Sequence, residues 1–133
     1  MIGEPVSMPL RLDRLWEKTC FECFIGTYQS NPYWEFNLSP AGHWNVYRFD
    51  SYRSGMEEES LFPSLPFHVE KQADLLNLSI SFGLNKILSS DQPLKMGVSA
   101  VVQSKEGETT YWALAHPGPA PDFHHRNGFL LEL

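Results

Sequence analysis

Thr19-Cys20-Phe21-Glu22-Cys23-Phe24-Ile25-Gly26, then Tyr33-Trp34-Glu35-Phe36-Asn37-Leu38-Ser39, then Trp44-Asn45-Val46-Tyr47-Arg48-Phe49-Asp50: these three runs decide the fold. Each alternates with period two, the spacing of a strand whose successive side chains point to opposite faces. In the second run Tyr33, Glu35, Asn37 and Ser39 share one face, and Trp34, Phe36 and Leu38 share the other. Turn formers stand between the runs: Gln29–Pro32 holds Ser30, Asn31 and Pro32, and Pro40-Ala41-Gly42 follows Ser39. Short connections between consecutive strands predict an antiparallel meander.

Beyond Asp50 the pattern breaks. Ser51–Pro66 holds Gly55, the acidic run Glu57-Glu58-Glu59 and two prolines, and reads as an exposed loop with a solvated acidic face. Phe67–Lys71 and Leu75–Gly83 read as a hairpin, Asn85–Leu88 as one helical turn. Lys95–Ser104 and Thr109–Ala115 flank Lys105-Glu106-Gly107-Glu108, a hairpin turn with glycine in place. His116–Asn127 is irregular, and Gly128–Leu133 closes as a strand. About eight short strands with almost no helix predict an all-β fold, an antiparallel β-sandwich, with a closed barrel as the alternative.

Composition agrees. The chain has 133 residues, enough for one domain, and 18 of them are aromatic. Ten Lys and Arg against 16 Asp and Glu give a net charge of −6, the wrong sign for a protein that tracks phosphate backbones. No apolar run reaches the length of a signal peptide or of a membrane span, so the chain reads as cytoplasmic, with neither nucleic acid nor membrane as partner. The two cysteines, Cys20 and Cys23, invite a redox or zinc reading. On a strand, however, residues three apart face opposite sides about 10 Å apart, beyond disulfide reach. Zinc would need further ligands, and His116, His124 and His125 lack the spacing. Two structural thiols, one per face, fit better.

Two separated blocks resemble the DOMON-like superfamily, and more closely its bacterial members related to family 9 carbohydrate-binding modules. They are W-E-K-T-C-F-E-C-F-I-G through Y-W-E-F-N-L-S-P-A-G-H-W-N-V-Y-R-F-D (Trp16–Asp50) and Y-W-A-L-A-H-P-G-P-A-P-D-F-H-H-R (Tyr111–Arg126). The resemblance implies a β-sandwich over residues 16–133, preceded by an irregular segment 1–15. It implies a non-catalytic module that binds sugars or haem. Such domains carry two or three strands before the first block, for which Met1–Leu15 is too short. The expectation is a shortened domain, or one whose start is missing, with exposed sheet edges that favour a homodimer.

The polar residues within the strands are the candidate site. Glu22, Glu35 and Asn37 share a face if the first two strands pair in register, with Tyr33, Asn45 and Tyr47 on compatible positions. Carboxylates and amides framed by aromatic platforms are what a sugar's hydroxyls and C–H faces require. Trp16, at a strand entry, and one further tryptophan such as Trp112 would be the platforms, although Trp34, Trp44 and Trp112 also suit a core. Arg48 is a further polar candidate, but alternation puts it opposite Asn45 and Tyr47. His116 could contact ligand, or with Met56 or Met96 supply the histidine and methionine that haem-binding relatives use. His116, His124, His125, Asp122 and Arg126 otherwise read as a loop held by their own contacts.

A glycosidase would need two carboxylates about 5–10 Å apart in distinct environments, which nothing in the sequence marks. The leading expectation is therefore a module that binds a sugar-like small molecule without cleaving it. For a chain without an export signal, that means an intracellular sugar or nucleotide-sugar. The alternatives are a haem or redox-cofactor carrier and a protein-interaction domain without a small ligand.

Overall fold

In the computed structural model, residues 9–28, 30–88 and 93–132 are described. Met1–Met8 of the expected irregular segment, Gln29 of the first turn and Leu133 of the last strand lie outside that range. Nine strands form in chain order: β1 Cys20–Thr27, β2 Tyr33–Leu38, β3 Trp44–Phe49, β4 Glu57–Glu58, β5 Phe67–Lys71, β6 Leu76–Ile80, β7 Leu94–Gln103, β8 Thr109–Ala113 and β9 Leu131–Glu132. Seven of them make one antiparallel sheet in the order β4-β3-β2-β1-β7-β8, with β9 also on β7. The hairpin β5-β6 stands apart as a two-stranded second sheet. The fold is all-β and antiparallel, with two very unequal layers. No helix among the described residues is long and apolar enough to cross a membrane.

The alternation explains the layering. Ile25, Trp34, Phe36, Leu38, Trp44 and Val46 project from one face and form a core with Phe62 and Leu65. Phe67, Leu78 and Ile80 of the hairpin, with Phe82 beyond it, cover that core. On the opposite face Phe24, Tyr33, Tyr47, Phe49 and Phe129 form a second cluster, joined by Trp16 and Phe123. Tyr33 and Phe49 stack with ring centroids 4.9 Å apart. Each large apolar side chain buried this way stabilises the fold by roughly 1.5–3 kcal/mol. Because both faces are covered, every residue of β2 is buried, including the polar ones.

The meander and both hairpins follow the sequence pattern, and Gly107 takes the positive φ (87°) that the β7–β8 turn needs. The differences lie in the connections. The expected loop 51–66 contributes the edge strand β4, and its acidic run is not wholly solvated, since Glu59 accepts the Trp34 indole N–H at 2.8 Å. The helical turn sits one residue early, as a 3-10 turn at Leu84–Lys86. Leu10–Leu12 are docked rather than loose: backbone bonds join them to Trp44. The Arg11 guanidinium donates to Asn45 Oδ1 and to the carbonyls of Val46, Glu59 and Phe62. Cys20 and Cys23 are unpaired thiols on opposite faces, and burial pushes the Cys23 thiol up to about 12.

A single arginine ties down the C-terminal loop that covers the second cluster. The Arg126 guanidinium donates to the carbonyls of Thr27, Ser30, Asn31 and Pro32 at 2.7–3.1 Å. Gly26 leaves it room, since a Cβ there would lie 2.9 Å from Nη1. Arg126→Ala therefore strands several carbonyls at once and should cost about 2–3 kcal/mol. Arg126→Lys should restore less than half, because one ammonium cannot span four acceptors. Urea unfolding checks this; a loss below about 0.5 kcal/mol, within the range of an ordinary surface substitution, would contradict it.

Candidate functional site

The second face of the sheet carries acidic groups where its aromatic cluster thins. Glu22 of β1 lies opposite Asn37 of β2, and Glu35 precedes Asn37 by two residues, so all three project from one face. Diagonal neighbours of this kind stand roughly 7–8 Å apart at Cα. Glu22 is 6% exposed, Glu35 3% and Asn37 0%. Above them opens a cleft of about 440 Å³ with Glu22 and Glu35 on its floor. Its walls come from elsewhere: Trp16 from the 3-10 turn Leu15–Glu17, Phe49 from β3, and Val101 and Tyr111 from β7 and β8. Arg53 and Met56 come from the loop after β3, and Pro121, Phe123 and His124 from the C-terminal loop.

The two buried asparagines of this face are cross-strand partners, and the contrast between them is informative. Asn45 is saturated: its two amide N–H groups have Leu12 O, Tyr47 Oη and Glu58 Oε2 within reach as acceptors, while its oxygen accepts from Val46 N and Arg11 Nε. Asn37 Oδ1 has no hydrogen-bond partner, and the Asn37 amide meets no acceptor in good geometry, although it lies near enough to Glu35 to hold that carboxyl down in part. A buried amide left unpaired costs about 1–3 kcal/mol, so such a group calls for an explanation.

Burial pushes both glutamates above the usual carboxylate range, and the proximity of Glu35 raises Glu22 further. Ser99 Oγ lies 3.5 Å from Glu22 Oε2. Glu35 Oε1 lies 3.4 Å from His124 Nε2, but burial holds that imidazole down to about 4 and so neutral at pH 7. Tyr33 Oη accepts the Arg53 backbone N–H at 3.0 Å and meets His124 Nδ1 at 2.8 Å. The phenol proton can then be donated to Nδ1, which leaves the ring proton on Nε2 facing Glu35. Arg53 pairs with Asp122 at 2.8 Å, and Tyr52 bonds the same carboxylate. The cleft therefore holds two acids with no ion-paired cation, since Arg53 is taken by Asp122 and offsets their burial only in part.

Of the residues singled out in the sequence, Trp16, Glu22 and Glu35 line the cleft. Tyr33, Asn37 and Tyr47 lie on the same face beneath or beside it. Tyr33 orients His124, and Tyr47 meets Trp16 edge-on at 5.7 Å. Arg48 and Trp112 are on the other face: Arg48 lies over Trp34 and pairs with Asp50, and Trp112, opposite Ala100, is 62% exposed. Trp34 and Trp44 are core. His116 is exposed beside Phe123, outside the cleft lining. Phe49, Arg53, Val101, Tyr111 and Phe123 also line the cleft, together with Met56, weighed above as a haem ligand, and His124, read above as part of a self-held loop. The loop residues among them carry no periodicity from which a face could be read.

Haem ligation does not fit this arrangement. Met96 packs on the hairpin face, away from the loop that carries His116. Met56 and His124 do share the cleft, but Tyr33 engages one ring nitrogen of His124 and Glu35 faces the other.

Comparison with models of known protein families and with curated proteins found no match. Among solved structures, the fold is similar to that of a candidate carbohydrate-binding protein from Bacteroides uniformis ATCC 8492, with a TM-score of 0.63 and 13% identity. The match covers 87% of this chain and 61% of that one, so this chain spans about three-fifths of that protein's length.

The titrations have opposite signs. The glutamates bind protons more tightly folded than unfolded, so their stabilisation is full in acid and is lost as pH rises through their raised folded values. His124 is the reverse: its contribution is full above 6.5 and is lost as pH falls towards about 4. Above pH 6.5 only the glutamates act. Glu22→Gln or Glu35→Gln should therefore stabilise the empty protein at pH 8 by about 1 kcal/mol, roughly 4 °C in a domain of this size. The gain should shrink towards pH 5. Thermal unfolding at the two pH values checks this; an equal loss at both would contradict it.

Proposed function

We propose that this protein is a non-catalytic binding module whose cleft takes a sugar-like small molecule. The observation that carries this reading is the pair of buried carboxyl groups on the floor of a cleft with aromatic walls, with the unpaired Asn37 carbonyl oxygen buried beside them. Buried polar groups are normally paired within the protein. A ligand with adjacent hydroxyls would complete this set, accepting from the amide or a protonated carboxyl and donating to their oxygens. Trp16, Tyr111 and Phe123 offer ring surfaces to the C–H faces of a pyranose. The fold shared with the Bacteroides uniformis protein is in keeping with this reading.

A saccharide panel followed by thermal shift tests the proposal. A ligand at ten times its Kd stabilises by about 1.4 kcal/mol, which is about 4–6 °C here. At least one saccharide should produce such a shift, and Trp16→Ala should reduce affinity at least tenfold, about 1.4 kcal/mol. The absence of a shift with any saccharide at millimolar concentration would overturn the reading.

A further inference from the structure

We propose that the ligand of this cleft carries a protonated amine, seated between Glu22 and Glu35 against the aromatic walls, as in an amino sugar. This rests on the cleft being the sugar site and narrows what it takes. Three observations converge on a cation. The first is charge. Arg53 on the cleft wall is spent on Asp122 at 2.8 Å and reaches Glu22 and Glu35 only as a distant charge, too weak to offset their burial, and the groups close to them are a neutral imidazole, a serine hydroxyl and the Asn37 amide. The second is Asn37, whose carbonyl oxygen accepts nothing although it is wholly buried beside both acids. The third is the wall: Trp16, Phe49, Tyr111 and Phe123 present rings around an acidic floor, and aromatic faces attract cations.

The energetics follow. A buried carboxylate without a partner is penalised by several kcal/mol, which a cation brought by the ligand would offset. A neutral sugar meets carboxyl groups that tend to stay protonated. An ammonium instead draws them into the ionised form, and its charge-assisted bonds are roughly twice as strong as neutral ones. Binding should therefore expel protons from the glutamates. The other titratable groups on this side include Cys20, Tyr33, Tyr47 with Asp13, Arg11 and Glu58 around Asn45, Tyr111, His124, Arg126 and the Arg53–Asp122 pair. A bare divalent ion is a poorer occupant: calcium takes six to eight oxygens, and two carboxylates with one amide fall well short. No cluster of three His, Cys, Asp or Glu stands ready for a metal among the described residues.

Calorimetry with glucosamine, glucose, N-acetylglucosamine, ethanolamine and calcium chloride tests this at pH 6.5, where the glucosamine amine is protonated. Glucosamine should bind about tenfold or more tightly than glucose or N-acetylglucosamine, with net proton release seen as a buffer-dependent heat. In Glu22→Gln and Glu35→Gln, circular dichroism should verify folding, and the glucosamine preference should fall towards unity. Equal affinity for glucosamine and glucose would overturn the amine inference and leave the sugar reading standing. Ethanolamine binding without any saccharide binding would keep the amine and overturn the sugar. Binding of calcium alone, or of nothing, would overturn both.

Discussion

Glu22 and Glu35 sit on the two middle strands of the larger sheet, in the layer where a β protein normally keeps apolar side chains. Taking a carboxylate out of water costs several kcal/mol unless a counter-charge or a set of donors replaces the lost hydration. Here no cation pairs with either group, Arg53 offsets their burial only in part, and the neighbouring Asn37 carbonyl oxygen is unpaired as well. The rest of the molecule accommodates that constraint. The hairpin face carries the main apolar core, and Arg126 and the Arg53–Asp122 pair hold loops around the acidic face.

Polar groups on this face fall into two classes. Asn45, Tyr47, Asp13, Arg11 and Glu58 form a closed network at one edge, with donors matched to acceptors. Glu22, Glu35 and Asn37 lie further towards the centre and are left open. The difference is not explained by distance from solvent, since Asn45 and Asn37 are equally buried. It is explained if the first set serves the fold and the second serves a ligand. The thermodynamic consequence is a site whose empty form is destabilised locally, so that part of the affinity comes from relief of that penalty.

Much of this was legible in the sequence because strands announce their faces. Alternation through C-F-E-C-F-I-G and Y-W-E-F-N-L puts Glu22, Glu35, Asn37 and Tyr33 together, and the register of β1 on β2 does the same. It also separates Arg48 and Trp112 from them, although composition makes both attractive as sugar contacts. The loops were opaque. Arg53, Met56, Phe123 and His124 reach the cleft through contacts between residues far apart in the chain, 69 positions for Arg53–Asp122 and 91 for Tyr33–His124, and such pairings leave no local pattern. Nor does alternation reveal that the polar face is itself covered. That burial comes from the C-terminal loop, and it turns a row of strand glutamates into a binding floor.

The central claim is that Glu22 and Glu35 are desolvated and lack a charge partner. Side-chain carboxyl carbons labelled with ¹³C and followed by NMR from pH 3 to 9 measure this residue by residue. The account predicts that both resonances titrate well above the ordinary glutamate value near 4.3 and that both shift when a saccharide enters the cleft. Midpoints near 4.3, unmoved by any saccharide, would contradict it.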